Sequence, residues 1–224
     1  MYRLVKRIFD ILLALFGIAI SSPFWLIAIV GILVSDPGPI FYLAQRVGKD
    51  DKTFTMFKFR SMRVGKANES VFRGDEDRIF PFGAFLRSSK IDELPQLLNI
   101  LLGTMSFVGP RPAAVDQMEI VRGGNCSILS REVAGLTGPA AVYDYIYGDT
   151  IQSEEDYLNL VLPTRLRLDV YYAQHMSFWL DIQLIWYTIV SILGTLLNKT
   201  PQKIYQRLLG WAKQVEEAEK EATV

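Results

Sequence analysis

The chain is poor in the residues from which most metal and redox sites are built. It has one cysteine, Cys126, and one histidine, His175, in 224 residues. A disulfide framework is excluded, as is a zinc site made of Cys and His ligands from this chain alone. A Ser-His-Asp triad would have to use His175, which lies in AQHMSFW with no nucleophile motif beside it. An excess of charge of one sign is also missing. Lys and Arg number 24 and Asp and Glu number 24, so nothing marks a nucleic-acid binder. No internal repeat, low-complexity tract or Walker loop is present. Finally, no charged residue falls between Ile11 and Ser35.

That uncharged run is long enough to cross a hydrocarbon core as a helix. It is long for the apolar part of a signal peptide, and no small-x-small cleavage site follows it. An ordinary spanning helix is the default reading. Ser21, Ser22 and Pro23 in its middle predict a kink, because proline deletes a backbone hydrogen bond that serine hydroxyls can replace. Basic residues flank both ends: Arg3, Lys6 and Arg7 before, Arg46, Lys49 and Lys52 after. Positive charge favours the cytoplasmic side, so a helix that bends back and leaves where it entered satisfies both clusters. Half of all residues are hydrophobic, which is high for a soluble domain and low for a polytopic membrane protein.

The most informative stretch is Leu86 to Pro112, LRSSKIDELPQLLNILLGTMSFVGPRP. Asp92 and Glu93 lie between Arg87 and Arg111, just before an apolar helical run that Gly103 closes. Pro95 suits the first helical turn. Free N–H groups and the positive dipole end favour an anion there. Acids at a helix start are also common caps, and neighbouring arginines are common surface pairs. As chemistry, the arrangement suits phosphate: a carboxylate to attack phosphorus, arginines to grip oxygens and a metal to mask charge.

Upstream, Asp36-Pro37-Gly38-Pro39 is a turn cluster, and Ile40–Gln45 and Phe54–Phe59 read as a β-hairpin turning at 48–51. Alternation puts Lys58 and Arg60 on one face. Val64–Arg78 reads as a surface loop and Ala113–Arg122 as a short helix. Tyr143, Tyr145 and Tyr147 alternate as on a half-buried strand, or as rings for stacking. Ile151–Leu162 is an acidic helix candidate. Asp169 lies on a mostly apolar helix, where Arg165 is its expected partner. Ser177–Leu197 is apolar and carries Trp179, Trp186 and Tyr187. It reads equally as a core helix or an interface-lying one. Lys203–Lys220 is amphipathic; packing on the domain, lying on the membrane and dimerisation are all open to it.

IDELPQLLNILLGTMSFVGPRP closely resembles the signature of the bacterial sugar transferase family, the monotopic phosphoglycosyl transferases. The segments around Gly38-Pro39-Ile40-Phe41, Gln45-Arg46-Val47-Gly48 and Lys58-Phe59-Arg60-Ser61-Met62 resemble other family motifs, so the likeness covers roughly 8–194. Two departures stand out: Ala134 replaces a usual proline, and Pro139–Tyr145 replaces a run that ordinarily ends in arginine. The resemblance implies an α+β, mainly helical fold. It would have a re-entrant helix broken at Ser22-Pro23 (1–36), a compact catalytic domain (37–197) and an amphipathic C-terminal helix (198–224). It implies transfer of a sugar phosphate from a UDP-sugar to a polyprenol phosphate, releasing UMP, in bacterial glycoconjugate assembly on the cytoplasmic face of the inner membrane. Asp92 is then the nucleophile and a Mg²⁺ ligand, while Glu93 holds metal or manages a proton. Lys58, Arg60, Arg87 and Arg111 bind phosphate, and Asp169 supports them. Membrane lipids and a second copy in a homodimer complete the expected partners. A non-catalytic membrane scaffold and a lipid-phosphate hydrolase are the competing classes.

Overall fold

A computed structural model describes residues 2–65, 76–147, 154–197 and 199–222. Most of the expected loop at Val64–Arg78 and the start of the acidic helix at Ile151 lie outside them. Nine α-helices and five short strands are described, with short 3-10 and π turns between them. They are α1 (Tyr2–Ser35), β1 (Phe41–Val47), β2 (Thr53–Phe59), α2 (Pro81–Ser88), α3 (Gln96–Leu102), β3 (Met105–Val108), β4 (Ala113–Ala114) and α4 (Met118–Arg122). Then follow β5 (Ala134–Thr137), α5 (Pro139–Tyr147), α6 (Glu154–Asp156), α7 (Leu162–His175), α8 (Phe178–Leu196) and α9 (Gln202–Ala222). The fold is mainly helical, as the sequence predicts.

Helix α1 organises the rest. Its buried residues Lys6, Asp10, Ala14, Ser21, Ala28 and Ile32 recur at helical spacing and form one face along its whole length. Small residues on that face let the domain come close. Gly17 lies against Leu97 of α3, and Gly31 against the ring of Phe82 of α2. The opposite face is apolar and exposed, with Leu4, Ile8, Leu12, Leu15, Phe16, Ile20, Phe24, Ile27 and Val34 among the outward residues. The secondary structure is not interrupted at Ser22-Pro23. Pro23 has no N–H for the Ala19 carbonyl one turn back, and the Ser22 hydroxyl donates to that carbonyl instead, at 2.9 Å.

The polar first turns of α1 are bonded into the domain. Lys6 Nζ meets Asp181 Oδ2 of α8 at 2.6 Å. The hydroxyls of Tyr2 and Tyr172 donate to the same carboxylate at 2.5 and 2.7 Å. Arg7 caps the C-terminus of α3 through the carbonyls of Ile100 and Leu101, the latter at 2.8 Å. Asp10 accepts the Phe107 N–H of β3 at 3.0 Å. Arg3 pairs with Glu132 at 2.7 Å. The basic residues that read as a topology signal are thus also structural ties.

The expected hairpin forms as β1 against β2, with Phe41 opposite Phe59 and Val47 opposite Thr53. Two pairings go beyond the sequence reading. β4 adds an antiparallel edge to β1, and β3 pairs in parallel with β5. The region read as a helix from Ala113 therefore begins as a strand, and α4 starts only at Met118. Tyr143, Tyr145 and Tyr147 lie on helix α5 rather than a strand. Tyr143 and Tyr147 stack on each other and on Tyr205 of α9. This stacking and the buried Ile204, Leu208 and Ala212 place α9 on the domain core. Trp179 and Trp186 of α8 point outward, 77% and 61% exposed. Both α1 and α8 are long and apolar enough to cross a membrane.

Lys6→Met tests the seating of α1. Asp181 then keeps only hydroxyl partners in a buried setting, a loss on the order of 3 kcal/mol. Thermal unfolding of the detergent-solubilised chain should shift several degrees downward; an unchanged midpoint would contradict the role given to this pair.

Candidate active site

The stretch carrying the two acids is built tightly. Ile91–Glu93 form a single 3-10 turn entered through Lys90, whose backbone is left-handed (φ 58°). Pro95 follows as the cap of α3. Asn99 of α3 ties this turn to the hairpin. Its amide oxygen accepts Phe57 N–H at 2.9 Å and its nitrogen donates to Thr55 O at 2.7 Å. The side chain thereby continues the edge of β2 and sets Lys58 opposite Glu93, at 3.2 Å. The same turn touches α1.

The loop after β3 is fixed from the other side. Gly109 N–H donates to Thr137 O at 2.9 Å, and Gly135 N–H donates to Pro110 O at 2.8 Å. A Cβ on Gly109 would strike Val133 O, and one on Gly135 would strike Gly109 N, so only glycine permits this approach. Arg111 follows directly, and its own N–H donates to Asp169 Oδ2 of α7 at 3.1 Å.

These elements enclose a cavity of about 430 Å³. Its cations are Arg46, Lys58, Arg111 and Arg165, and its acids are Glu93, Asp116 and Asp169. Asp92 is not part of this lining. It sits beside it and is buried (8% exposed), with Oδ1 making no hydrogen bond. Burial raises its pKa to about 6, against the pull of Lys58. Burial acts on Glu93 in the same direction, but Lys58, Arg111 and Lys90 together outweigh it and hold its pKa below the usual value. The two adjacent acids thus differ: one is desolvated with a free oxygen, the other is ionised and paired. Burial also lifts Asp169 to about 7, partly offset by the Arg111 N–H and by Arg165.

Not every residue singled out in the sequence reaches the cavity. Arg60 is buried (4% exposed), and its guanidinium is taken up by Asp36 and by Pro39 O. It ties down the turn before β1, and β2 ends at Phe59, so the alternation that paired it with Lys58 does not continue. Arg87 is an exposed residue near Met62 Sδ, at 3.5 Å, and acts on Asp92 only by its charge. Asp169 takes the backbone of Arg111 rather than the side chain of Arg165. Arg165 pairs instead with Asp144, at 3.3 Å, and so does Arg111, at 3.3 Å. Lys90, Asp144 and Tyr157 were not singled out as site residues. Lys90 Nζ lies 4.9 Å from the Tyr145 ring centre, beside the acids. The one signal for Arg165 was its place a helical turn before Asp169.

The buried Asp169 predicts a pH effect on stability. Its pKa is raised on folding, so the native chain holds a proton that the unfolded chain loses from about pH 4 upward. Stability from this group is present below pH 4 and is lost as pH rises toward 7. Asp169→Asn should flatten this slope and gain on the order of 3 kcal/mol over wild type near pH 8. Parallel unfolding profiles of the two proteins would contradict the assignment.

Comparison with known proteins bears on this geometry. The bacterial sugar transferase family model matches residues 1–195. The chain is 36% identical over 199 residues to a UDP-glucose:undecaprenyl-phosphate glucose-1-phosphate transferase of Xanthomonas campestris, covering 86% of this chain and 40% of that protein. It is 35% identical over 201 residues to a UDP-N-acetylgalactosamine-undecaprenyl-phosphate N-acetylgalactosaminephosphotransferase of Aeromonas hydrophila, covering 86% and 44%. It is 31% identical over 204 residues to the exopolysaccharide production protein ExoY of Sinorhizobium fredii, covering 84% of each. The chain therefore spans less than half the length of the first two relatives but most of the third. With a family match running from α1 through most of α8, the chain belongs to the bacterial sugar transferase family.

Proposed function

We propose that this chain transfers a sugar phosphate from a UDP-sugar to a polyprenol phosphate, with Asp92 as the nucleophile. The observation that carries the reading is the pair Asp92 and Glu93, set between the cationic cavity and the membrane-facing helix α1. One substrate is water-soluble and the other is a lipid, so the reacting group has to lie where both can reach it. The relatives' names support the substrate classes, and they name different sugars, so the proposal stops at a UDP-sugar.

Asp92 suits attack better than Glu93. Its Oδ1 has no hydrogen bond to break, and desolvation makes the carboxylate more basic while leaving it mostly ionised at neutral pH. In the first step a carboxylate oxygen bonds to the phosphorus nearer the sugar. The bond from that phosphorus to the bridging oxygen breaks, and UMP leaves with the electron pair. In the second step a phosphate oxygen of the polyprenol phosphate attacks the same phosphorus, and the Asp92 carboxylate is released. Lys58 and Arg111 counter the charge of the diphosphate. Glu93 holds Lys58 in place.

The residues present fit a magnesium ion. Among the described residues no group of three or more His, Cys, Asp or Glu side chains converges. Asp92 offers an orphaned oxygen and Glu93 a second carboxylate. One or two carboxylates, with water and substrate phosphate completing the shell, is the usual way this ion is held. When bound, it would neutralise phosphate charge.

The position of α1 is read in the same way. A straight helix of its length spans about 50 Å, and contacts along that length hold both of its halves to one domain. This supports a helix that enters and leaves on the same, cytoplasmic, side of the bacterial inner membrane, with its apolar face in lipid.

The test is UMP release from a panel of UDP-sugars by the full chain in lipid, with and without polyprenol phosphate. Wild type should release UMP stoichiometrically without acceptor and catalytically with it. Asp92→Asn should lower turnover by at least about 10³-fold. Absence of UMP with every donor would favour a non-catalytic scaffold, and inorganic phosphate as product would favour a hydrolase.

A further inference from the structure

In the function proposed above, Lys58 and its Glu93 partner serve one phosphate of a diphosphate. The cavity lining carries a second cationic group that the mechanism above does not use. Arg165 of α7 lines the cavity there, and its side chain is only 15% exposed. It is braced twice by Tyr157: Nη1 donates to the phenol oxygen at 2.7 Å, and the guanidinium carbon lies 5.7 Å from the ring centre. Arg111 lines the cavity as well. The carboxylate of Asp144 joins the two arginines, with one oxygen 3.3 Å from each. Asp144 itself is not among the lining residues. It stands behind the two guanidiniums.

A carboxylate shared in this way does not satisfy either arginine. Both contacts are longer than the roughly 2.7–2.9 Å of a full charge-assisted hydrogen bond, and neither is two-pronged. Each guanidinium keeps donors in reserve. Two guanidiniums held against one carboxylate, with Glu93, Asp116 and Asp169 as the acids on the cavity wall, present clustered donors to the cavity rather than a closed ion pair. An incoming dianion would complete it.

We propose that Arg165 and Arg111 form a second phosphate subsite, for the nucleoside-linked phosphate of the donor, and that Asp144 is the positioning residue that holds the two guanidiniums as a pair. The inference rests on the UDP-sugar reading given above. The chemistry calls for such a group. When the phosphorus nearer the sugar is attacked, the departing oxygen belongs to the nucleoside monophosphate, and negative charge grows on that phosphate as the bond breaks. Cations fixed at that position, rather than at the attacked phosphorus, are the ones that strengthen as the leaving group forms.

The probes are UMP and uridine, whose difference is the phosphate alone, with binding followed by ligand-observed NMR on the full chain in lipid nanodiscs. Arg165→Gln should weaken UMP at least about tenfold and leave uridine unchanged. Asp144→Asn should weaken UMP severalfold, again without touching uridine. Tyr157→Phe removes only the hydroxyl brace, keeps the ring, and should give a smaller loss in the same direction. It also serves if Arg165→Gln fails to fold. If wild type binds UMP and Arg165→Gln or Tyr157→Phe binds it equally well, the subsite is wrong while the donor reading stands. Equal losses of UMP and uridine would likewise overturn it, since they report damage to the cavity rather than to a phosphate contact. If wild type binds neither probe, the donor reading itself fails and the subsite fails with it.

Discussion

The carboxylate of Asp181 is the point on which the molecule depends. It lies in α8, almost without solvent contact, and gathers Lys6, Tyr2 and Tyr172. Without it, the positive charge of Lys6 would be buried without a counterion, and the first turns of α1 would lose their most buried tie to the domain. A buried pair of this kind adds little stability by itself, because desolvation offsets much of the attraction. Its effect is to specify geometry. Helix α1, with its exposed apolar face, is fixed in rotation and height relative to β3, α3 and the acid-bearing turn.

That fixation passes to the site through few intermediaries. Asp10 holds the free edge of β3 at Phe107, and the loop leaving β3 runs through Gly109 and Pro110 to Arg111. Arg7 caps α3, and α3 carries Asn99, which sets the register of the strand bearing Lys58. Lys58 and Arg111 are therefore only a few bonded steps from α1. For the proposed reaction between a soluble donor and a lipid acceptor this economy matters, because an error of about 1 Å at the reacting atoms is costly in rate.

Much of this was legible in the sequence. The uncharged run from Ile11, the serine beside Pro23, the hairpin and the amphipathic C-terminal helix each follow from local pattern. The acid pair ahead of Pro95 was visible from spacing and helix-end chemistry, and the family likeness from the long motif around it. What was not legible depended on tertiary partners. β4 has two residues and gains its identity only from β1. Tyr143, Tyr145 and Tyr147 have a strand's alternation, yet Pro139 starts a helix there and α9 supplies Tyr205 as a stacking partner. Arg60 belongs by motif with Lys58, but Asp36 claims it. Arg165 and Asp144 are 21 positions apart in the chain, and nothing local announces that Asp144 is shared between Arg165 and Arg111.

The most direct test is to look for the proposed covalent adduct. The full chain in lipid is mixed with each of a panel of UDP-sugars without acceptor, quenched within a single turnover, digested and sequenced by mass spectrometry. The account predicts one sugar-phosphate increment on the peptide spanning 91–96, carried by Asp92 and lost when polyprenol phosphate is added before the quench. An increment on Glu93, or UMP release that requires acceptor and leaves no adduct at all, would contradict it.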